Sequence, residues 1–563
     1  MATPAVRYTP EFDRVAALPR RVIDAGDAAA WAEVLTRTLR APRSTAALRP
    51  WQGLGCAEAL DNDGAFLALP VGQGKTLISH VLPTLFEASR PMLICPASLR
   101  DKSWADFAAY RGQWRAPRHP IRIVSREELA LDQNRTLLQQ YRPDLIVIDE
   151  ADDLANPASS ACRRLDRYRI ETWDDPAVRY VAMTGTPGRN SLLNYWHLLI
   201  WCLRDNAPVP LIHAEAVMWA MALDHKPRNP RRPHPGPLGA TRDGAVEWFA
   251  MRLRETPGVV VVDEDSCDAP LEIRTRLARE DPILDEAFDK FLHTFENPGG
   301  IVVGDPLSRW LLDGQMGCGL FTVFDPPPPD EWRVAYRAKA KFVRDRIDDT
   351  AHAREPLDTE MQVLRKYAEH PIVRAWRAVK PTFVANTKAI WITTSTIESA
   401  RDWLAESDTP GIVWCGSVDF GRALAHATRL AYYGRKGQCE GGGGLHEAPE
   451  GRSMVASWAA NKKGFNLQAW PRQLIVMPPQ SAKWLEQIFG RSHRSGQEQR
   501  VTIDILLTSG GTIDAFEAAL GEARHNKNSW SLTQKILRAN LRRATPRLTK
   551  ANQYRWATRT KGQ

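Results

Sequence analysis

Short apolar runs rich in β-branched residues recur along the chain at positions 92–95, 121–124, 145–148 and 180–183, then again at 412–415 and 474–477. Runs of this length that are continuously apolar, rather than alternating, predict strands buried on both faces, as in parallel sheets covered by helices. Amphipathic helical stretches lie between many of the runs, which completes an α/β pattern. The runs fall into two blocks, about 41–205 and about 385–525. Between the blocks the pattern changes to a Pro/Arg stretch at 226–237, a proline run at 326–329, and charged helical segments at 331–349 and 359–379. Such composition predicts linker and helical insertion rather than sheet. The run 259–262 reads as a last strand associated with the first block, and the glycines at 441–444 read as a flexible loop in the second. No repeat of the solenoid kind is present.

At 563 residues the chain exceeds the roughly 250–300 at which a single core stops growing, so two or more domains are expected. The layout is an N-terminal extension (1–40), a first α/β domain (41–270, interrupted by a Pro/Arg-rich insertion at about 206–245), a helical linker (271–384), a second α/β domain (385–525) and a basic tail (526–563). No apolar run approaches the ~20 residues that span a bilayer, 195–203 being the nearest, and the N-terminus lacks the apolar core of a secretory signal. A cytoplasmic protein is expected. The eight cysteines are scattered, with no C-x-x-C pair, so buried reduced thiols are expected rather than a zinc or redox site. A formal charge of +9 suits a polyanionic partner. From Lys535 onward the tail carries nine Lys or Arg residues and no acid, with Tyr554 and Trp556 interspersed. It reads as a solvated end or as a nucleic-acid contact.

The segment Leu67-Ala-Leu-Pro-Val-Gly-Gln-Gly-Lys-Thr76 places a glycine-rich loop after an apolar run and before a helical stretch. Gly72, Gln73 and Gly74 would turn backbone N–H groups toward phosphate oxygens at a helix N-terminus, Lys75 would reach the β and γ phosphates, and Thr76 would ligate Mg²⁺. The strict pattern has glycine where this chain has Leu69. Downstream, Asp144-Leu-Ile-Val-Ile-Asp-Glu-Ala-Asp152 reads as a buried strand delivering Asp149 and Glu150 at its C-terminal end, where open parallel sheets bind ligands. Asp149 would hold Mg²⁺ through water, and Glu150 would orient and deprotonate the attacking water.

With both motifs in this order, the chain resembles a superfamily-two helicase, and in detail the Snf branch of DNA translocases. The likeness rests on Leu48-Arg-Pro-Trp-Gln52 with Gly55, on Leu93-Ile-Cys-Pro-Ala-Ser-Leu-Arg100 with Trp104, and on the DEAD-type Asp149-Glu-Ala-Asp-Asp-Leu-Ala-Asn156. It continues through Thr184-Gly-Thr-Pro-Gly-Arg-Asn190, Gly464-Phe-Asn-Leu467, Gln487-Ile-Phe-Gly-Arg-Ser-His-Arg-Ser-Gly-Gln497 and Thr512-Ile-Asp514. Asp152, Ala155, Gly188 and Arg189 depart from the family pattern, and 208–388 matches poorly. The second-block segments are similar to compact phage-encoded members, which would place the protein in a bacterial host cell.

The resemblance implies two RecA-like parallel-sheet lobes with helical insertions between them and an ATP cleft at their interface. Gln52 is implied as the adenine contact, Thr184, Gly185 and Thr186 as the coupling segment, and Gln487, Arg491 and Arg494 as ATP contacts from the second lobe. The two arginines would stabilise phosphoryl charge. Ser98, Leu99 and Arg100 in the first lobe, with Lys462, Lys463 and Asn466 in the second, are the implied nucleic-acid contacts. The implied activity is an ATP-dependent translocase on double-stranded DNA, with ATP and Mg²⁺ as cofactors, acting in replication, repair or remodelling with partner proteins. The alternatives are a strand-separating helicase, with single-stranded DNA as the track, and an ATP-driven remodeler of a protein–DNA complex.

Overall fold

The computed structural model describes residues 5–188, 190–225, 233–300, 302–350, 353, 355–461 and 464–544. The chain divides into two units, each an α/β layer structure. The first comprises the described residues of Met1–Ser266, Arg346–Lys366 and Arg524–Thr533, and the second those of Cys267–Asp345, Tyr367–Ala523 and Gln534–Gln563.

Six strands build the sheet of the first unit: β1 (Gly64–Ala68), β2 (Pro91–Cys95), β3 (Arg122–Ser125), β4 (Leu145–Asp149), β5 (Arg179–Thr184) and β6 (Val259–Val261). Their order is β3-β2-β4-β5-β1-β6, and every pairing is parallel. The continuous apolar runs have the physical meaning expected of them. Phe66, Ile94, Ile146 and Ala182 enter one core layer, while Leu67, Leu93, Val147 and Val181 enter the layer on the opposite face. Two segments distant in sequence complete this unit. Asp358 lies buried against Arg164 and Arg167 of the helix Ser160–Glu171. Trp530, fully buried, stacks on Phe66 at 5.3 Å and meets Tyr195 edge-on at 4.7 Å. The apolar run near 195–203 is the short helix Trp196–Leu203, buried in this core. Among the described residues no helix is long and apolar enough to cross a membrane.

The second unit contains nine strands: β7 (Leu271–Leu277), β8 (Leu320–Phe324), β9 (Thr387–Trp391), β10 (Gly411–Cys415), β11 (Tyr432–Tyr433), β12 (Met454–Ser457), β13 (Arg472–Val476), β14 (Val501–Leu507) and β15 (Asn540–Arg542). Seven form a parallel sheet in the order β11-β12-β10-β13-β14-β7-β15, and β8 pairs antiparallel with β9 as a separate ribbon. Alternate residues again feed two cores, Trp414 and Ile475 on one face, Val413 and Leu474 on the other.

Three expectations are corrected here. Leu271–Leu277, placed in a helical linker, is a strand inside the second sheet, hydrogen-bonded to β14. Its alternation of apolar and charged residues hides that position, because Arg274 is matched by Asp504 of β14 through two hydrogen bonds of 2.9 and 2.8 Å. Thr387–Trp391, which falls at the start of the expected second α/β domain (385–525), belongs to the ribbon and not to the parallel sheet. The start of the basic tail is structural rather than solvated: Lys535 is buried, and Asn540–Arg542 extends the sheet beside β7. Arg547, Lys550, Tyr554, Arg555, Trp556, Arg559 and Lys561 lie outside the described residues, as do 226–232 of the Pro/Arg stretch. Of the eight cysteines, all free, seven are buried and Cys439 is half-buried.

Candidate active site

Strand β1 runs out at Ala68, and Leu69 extends its path by one residue, donating its N–H to the Thr184 carbonyl at 2.9 Å. Leu69 is fully buried in the core, which explains why glycine is not needed there. The chain then turns through Gly72 (φ +95°) and Gly74 (φ +74°), and Gly74 caps the helix Lys75–Leu85. Both glycines sit in the left-handed region and against neighbours. A Cβ at 72 would meet Ser266 Oγ at 2.5 Å, and one at 74 would meet Gln52 Nε2 at 2.3 Å. Gln73 is buried, and Thr76 is half-buried in the first helical turn. Lys75 is buried too, its Nζ donating to the carbonyls of Leu69 (3.1 Å) and Pro70 (3.3 Å). A glycine cradle, a buried ammonium and the first amides of a helix make a donor set that fits a polyphosphate.

Gln52 lies under this loop. Its Nε2 donates to Gln73 O (3.0 Å) and Gly74 O (3.3 Å), and its Oε1 accepts the Arg49 N–H at 2.8 Å. Arg49 adds a bond from Nη1 to Gly72 O at 3.0 Å, and the Ser266 hydroxyl donates to Val71 O at 2.7 Å. The side chain expected to read adenine is thus engaged in bracing the phosphate loop. Arg49 and Ser266 are braces that the motif reading missed, since neither belongs to a phosphate pattern.

Strand β4 delivers Asp149 and Glu150. In the β5 register Met183 faces Asp149, and Thr184 faces Ala68 of β1. The ends of β1, β5 and β4 therefore lie level on three adjacent strands, which sit roughly 4.8 Å apart. Asp149 is buried and accepts the Glu150 N–H at 3.0 Å. Glu150 adopts φ +53°, ψ +49°, a left-handed conformation that costs a non-glycine residue about 1–3 kcal/mol. Thr76 and Asp149 are the residues that would hold Mg²⁺. Among the described residues no three His, Cys, Asp or Glu side chains cluster as a metal site.

Asp152, one of the departures from the family pattern, is almost fully buried. Its Oδ1 accepts from Thr184 Oγ1 at 3.0 Å and its Oδ2 from Thr186 Oγ1 at 3.3 Å, while Thr186 N–H donates to Thr184 Oγ1 at 3.1 Å. Gly185, between the two threonines, leaves only 3.3 Å between an added Cβ and the Leu69 carbonyl. One carboxylate thus joins the segment after Asp149-Glu150 to both hydroxyls of Thr184-Gly-Thr186. Cys95, at the end of β2, is pushed up to about 12, first by burial and then by the Asp149 charge, so it stays a neutral thiol.

Ser98 and Arg100 are exposed and Leu99 is half-buried, in the turn Ala97–Leu99 and the start of the helix Arg100–Tyr110. Arg100 lies 3.5 Å from Glu128 and 3.7 Å from Asp101, and Trp104 is exposed beside it. Exposed pairs of this kind contribute little, so a phosphate can displace them.

In the second unit Gln487 and Arg491 lie on the helix Ala482–Ser492, and both are buried. Arg491 Nε donates to Gln487 O at 2.9 Å and Nη1 to Phe465 O at 2.8 Å. This arginine ties its helix to the loop that carries Asn466, which is exposed. Arg494, half-buried, follows the end of the helix. Lys462 and Lys463 lie outside the described residues. Thr512 caps its own turn, accepting from the N–H of Thr508 and Ser509, both at 3.0 Å. Comparison of the chain with protein-family models and with curated proteins finds no match.

Proposed function

We propose that the protein is an ATP-hydrolysing motor of the Snf type that moves along double-stranded DNA. The observation that carries the reading is the alignment of three strand ends in one parallel sheet: the glycine loop after β1, Asp149-Glu150 after β4, and Thr184-Gly-Thr186 after β5, joined through Asp152. The loop amides and Lys75 bind the phosphates. Glu150 takes a proton from the attacking water, and Asp149 with Thr76 would hold the metal. Bound Mg²⁺ supplies neutralisation of phosphate charge. Arg491 and Arg494 are the arginines that would stabilise the transition-state charge, and Arg491 is also bonded within its own unit through two N–H groups. Loss and return of charge beside Thr184 and Thr186 then reaches the DNA-facing turn at Ser98–Arg100 within the same unit, and Asn466 is the DNA contact of the second.

A second reading, strand separation, is favoured by one feature of the insertion. The β8–β9 ribbon exposes Phe324 and Trp391, aromatic side chains of the kind that stack on unpaired bases, with the aliphatic Ile390 also exposed.

Purified Glu150→Gln tests the hydrolytic assignment. The variant should bind ATP normally and turn it over about 10²–10⁴ more slowly. Near-wild-type turnover would remove Glu150 from the role of base.

A further inference from the structure

The basic tail enters the second unit at the helix that carries the arginines. Lys535 is only 3 % exposed, and its Nζ lies 3.0 Å from His493 Nδ1. His493 is 2 % exposed, and its Nε2 lies 2.7 Å from the carbonyl oxygen of Ala269. A carbonyl can only accept and an ammonium can only donate, so the two contacts together fix the imidazole as the neutral Nε2–H tautomer. The backbone N–H of Lys535 also donates to Glu486 Oε2 at 2.7 Å. Glu486 lies on the helix Ala482–Ser492, and His493 is that helix's C-cap, its own N–H bonded to Phe489 O at 2.9 Å. Lys535 therefore grips this helix at two points, one in its body and one at its end, between Arg491 and Arg494. Beyond it, Asn540–Arg542 pairs with β7, and Arg542 Nε lies 2.8 Å from Glu272 Oε1, which anchors the segment from the other side.

We propose that Lys535 is a positioning residue for ATP hydrolysis. Its ammonium fixes the His493 ring, and the fixed ring sets the direction in which the chain leaves the helix toward Arg494. This rests on the reading of the chain as an ATPase in which Arg494 serves the transition state. A buried ammonium bonded to a ring nitrogen has little tolerance for displacement, and an error of about 1 Å at a catalytic group can cost on the order of 100-fold in rate. Lys535 is thereby separated from the rest of the tail cations: it serves the arginine helix and not a DNA phosphate.

The test combines kinetics with a spectroscopic signature in the full-length protein. Lys535→Met should lower kcat by about ten- to a hundredfold and leave the KM for ATP within about twofold. Lys535→Arg, which keeps a donor, should recover most of the loss. In protein labelled with ¹⁵N-histidine, the His493 resonances, identified by their loss in His493→Gln, should show an unprotonated, hydrogen-bonded Nδ1 in the wild type and an Nδ1 shift displaced by loss of its donor in Lys535→Met, with Nε2 still protonated against the Ala269 carbonyl. Wild-type kcat in Lys535→Met, or a protonated Nδ1 in the wild type, overturns the proposal. Should Lys535→Met fail to fold, His493→Gln carries the kinetic test: a lowered kcat at unchanged KM supports the proposal, and an unchanged kcat overturns it. Absence of turnover in the wild type overturns the ATPase reading and this inference with it. Wild-type turnover alongside an unaffected Lys535→Met overturns the inference alone.

Discussion

Asp152 accepts the hydroxyl proton of Thr184 at 3.0 Å, and both residues are buried. The pair ties the segment just past Asp149 and Glu150 to the strand end lying level with the phosphate loop. Since Asp152 also receives Thr186, a change of charge at the loop can be felt at both hydroxyls through one carboxylate.

Asp152→Ala leaves two buried hydroxyls without their acceptor. The expected cost is about 1–3 kcal/mol of stability for the first unit, seen as a lowered unfolding midpoint. Under the coupling account, the nucleic-acid-stimulated ATPase rate falls further than the basal rate. An unchanged ratio of stimulated to basal rate, in a variant that is destabilised as expected, would assign Asp152 to structure alone.

Gln52 separates two roles that the sequence could not. A residue that reads adenine affects ATP and leaves GTP alone, whereas a brace of the phosphate loop affects both. Gln52 Nε2 bonds to Gln73 O and Gly74 O, so Gln52→Ala should weaken ATP and GTP by a similar factor, roughly 5- to 30-fold for the loss of about 1–2 kcal/mol. Titration of both nucleotides, with Gln52→Glu as a second variant, checks this. A loss confined to ATP would restore the adenine role.

Much of the fold was legible because parallel strands buried on both faces have no polar alternation to conceal them: 145–148 and 412–415 are read at sight. β7 was not legible, because Arg274 and Arg276 look like surface residues until Asp504 of β14 is placed beside them. The shape of the glycine loop could be read from Gly72 and Gly74, which take the positive φ that glycine permits, with Lys75 opening the helix that follows. The braces Arg49, Ser266 and Lys535 could not, since each acts through contacts made by distant segments. Arg491 shows the converse. A motif marks the residue type, while the engagement of its guanidinium with Phe465 O is a fact of tertiary structure.

Three histidines of the first unit, His80 and His197 buried and His525 half-buried, set an acid limit on its stability. His80, His197 and His525 are each lowered from 6.5 to about 4, in every case first by burial, with Arg111 adding to the shift at His80 and His225 at His525. These rings are neutral when folded, and in the unfolded chain they take up protons below about 6.5. Their contribution is therefore complete above that pH and is lost as pH falls from about 6.5 toward 4. Each should cost on the order of 1–2 kcal/mol by pH 5. Unfolding midpoints measured from pH 7.5 to 5 should decline, and His80→Phe, whose ring packs against Phe107 and Tyr110, should reduce the proton uptake on unfolding at pH 5 by about one. Unchanged uptake in that variant would contradict the assignment.

The central claim is that ATP hydrolysis drives movement on duplex DNA, and the most direct measurement is the steady-state ATPase rate with no nucleic acid, blunt duplex DNA, forked duplex, single-stranded DNA and RNA. Lys75→Ala serves as the control that lacks the phosphate-binding ammonium. The account predicts strong stimulation by blunt duplex, abolished in Lys75→Ala. Stimulation by single strands alone would favour the strand-separating reading, and a preference for RNA, or turnover that survives Lys75→Ala, would contradict the account.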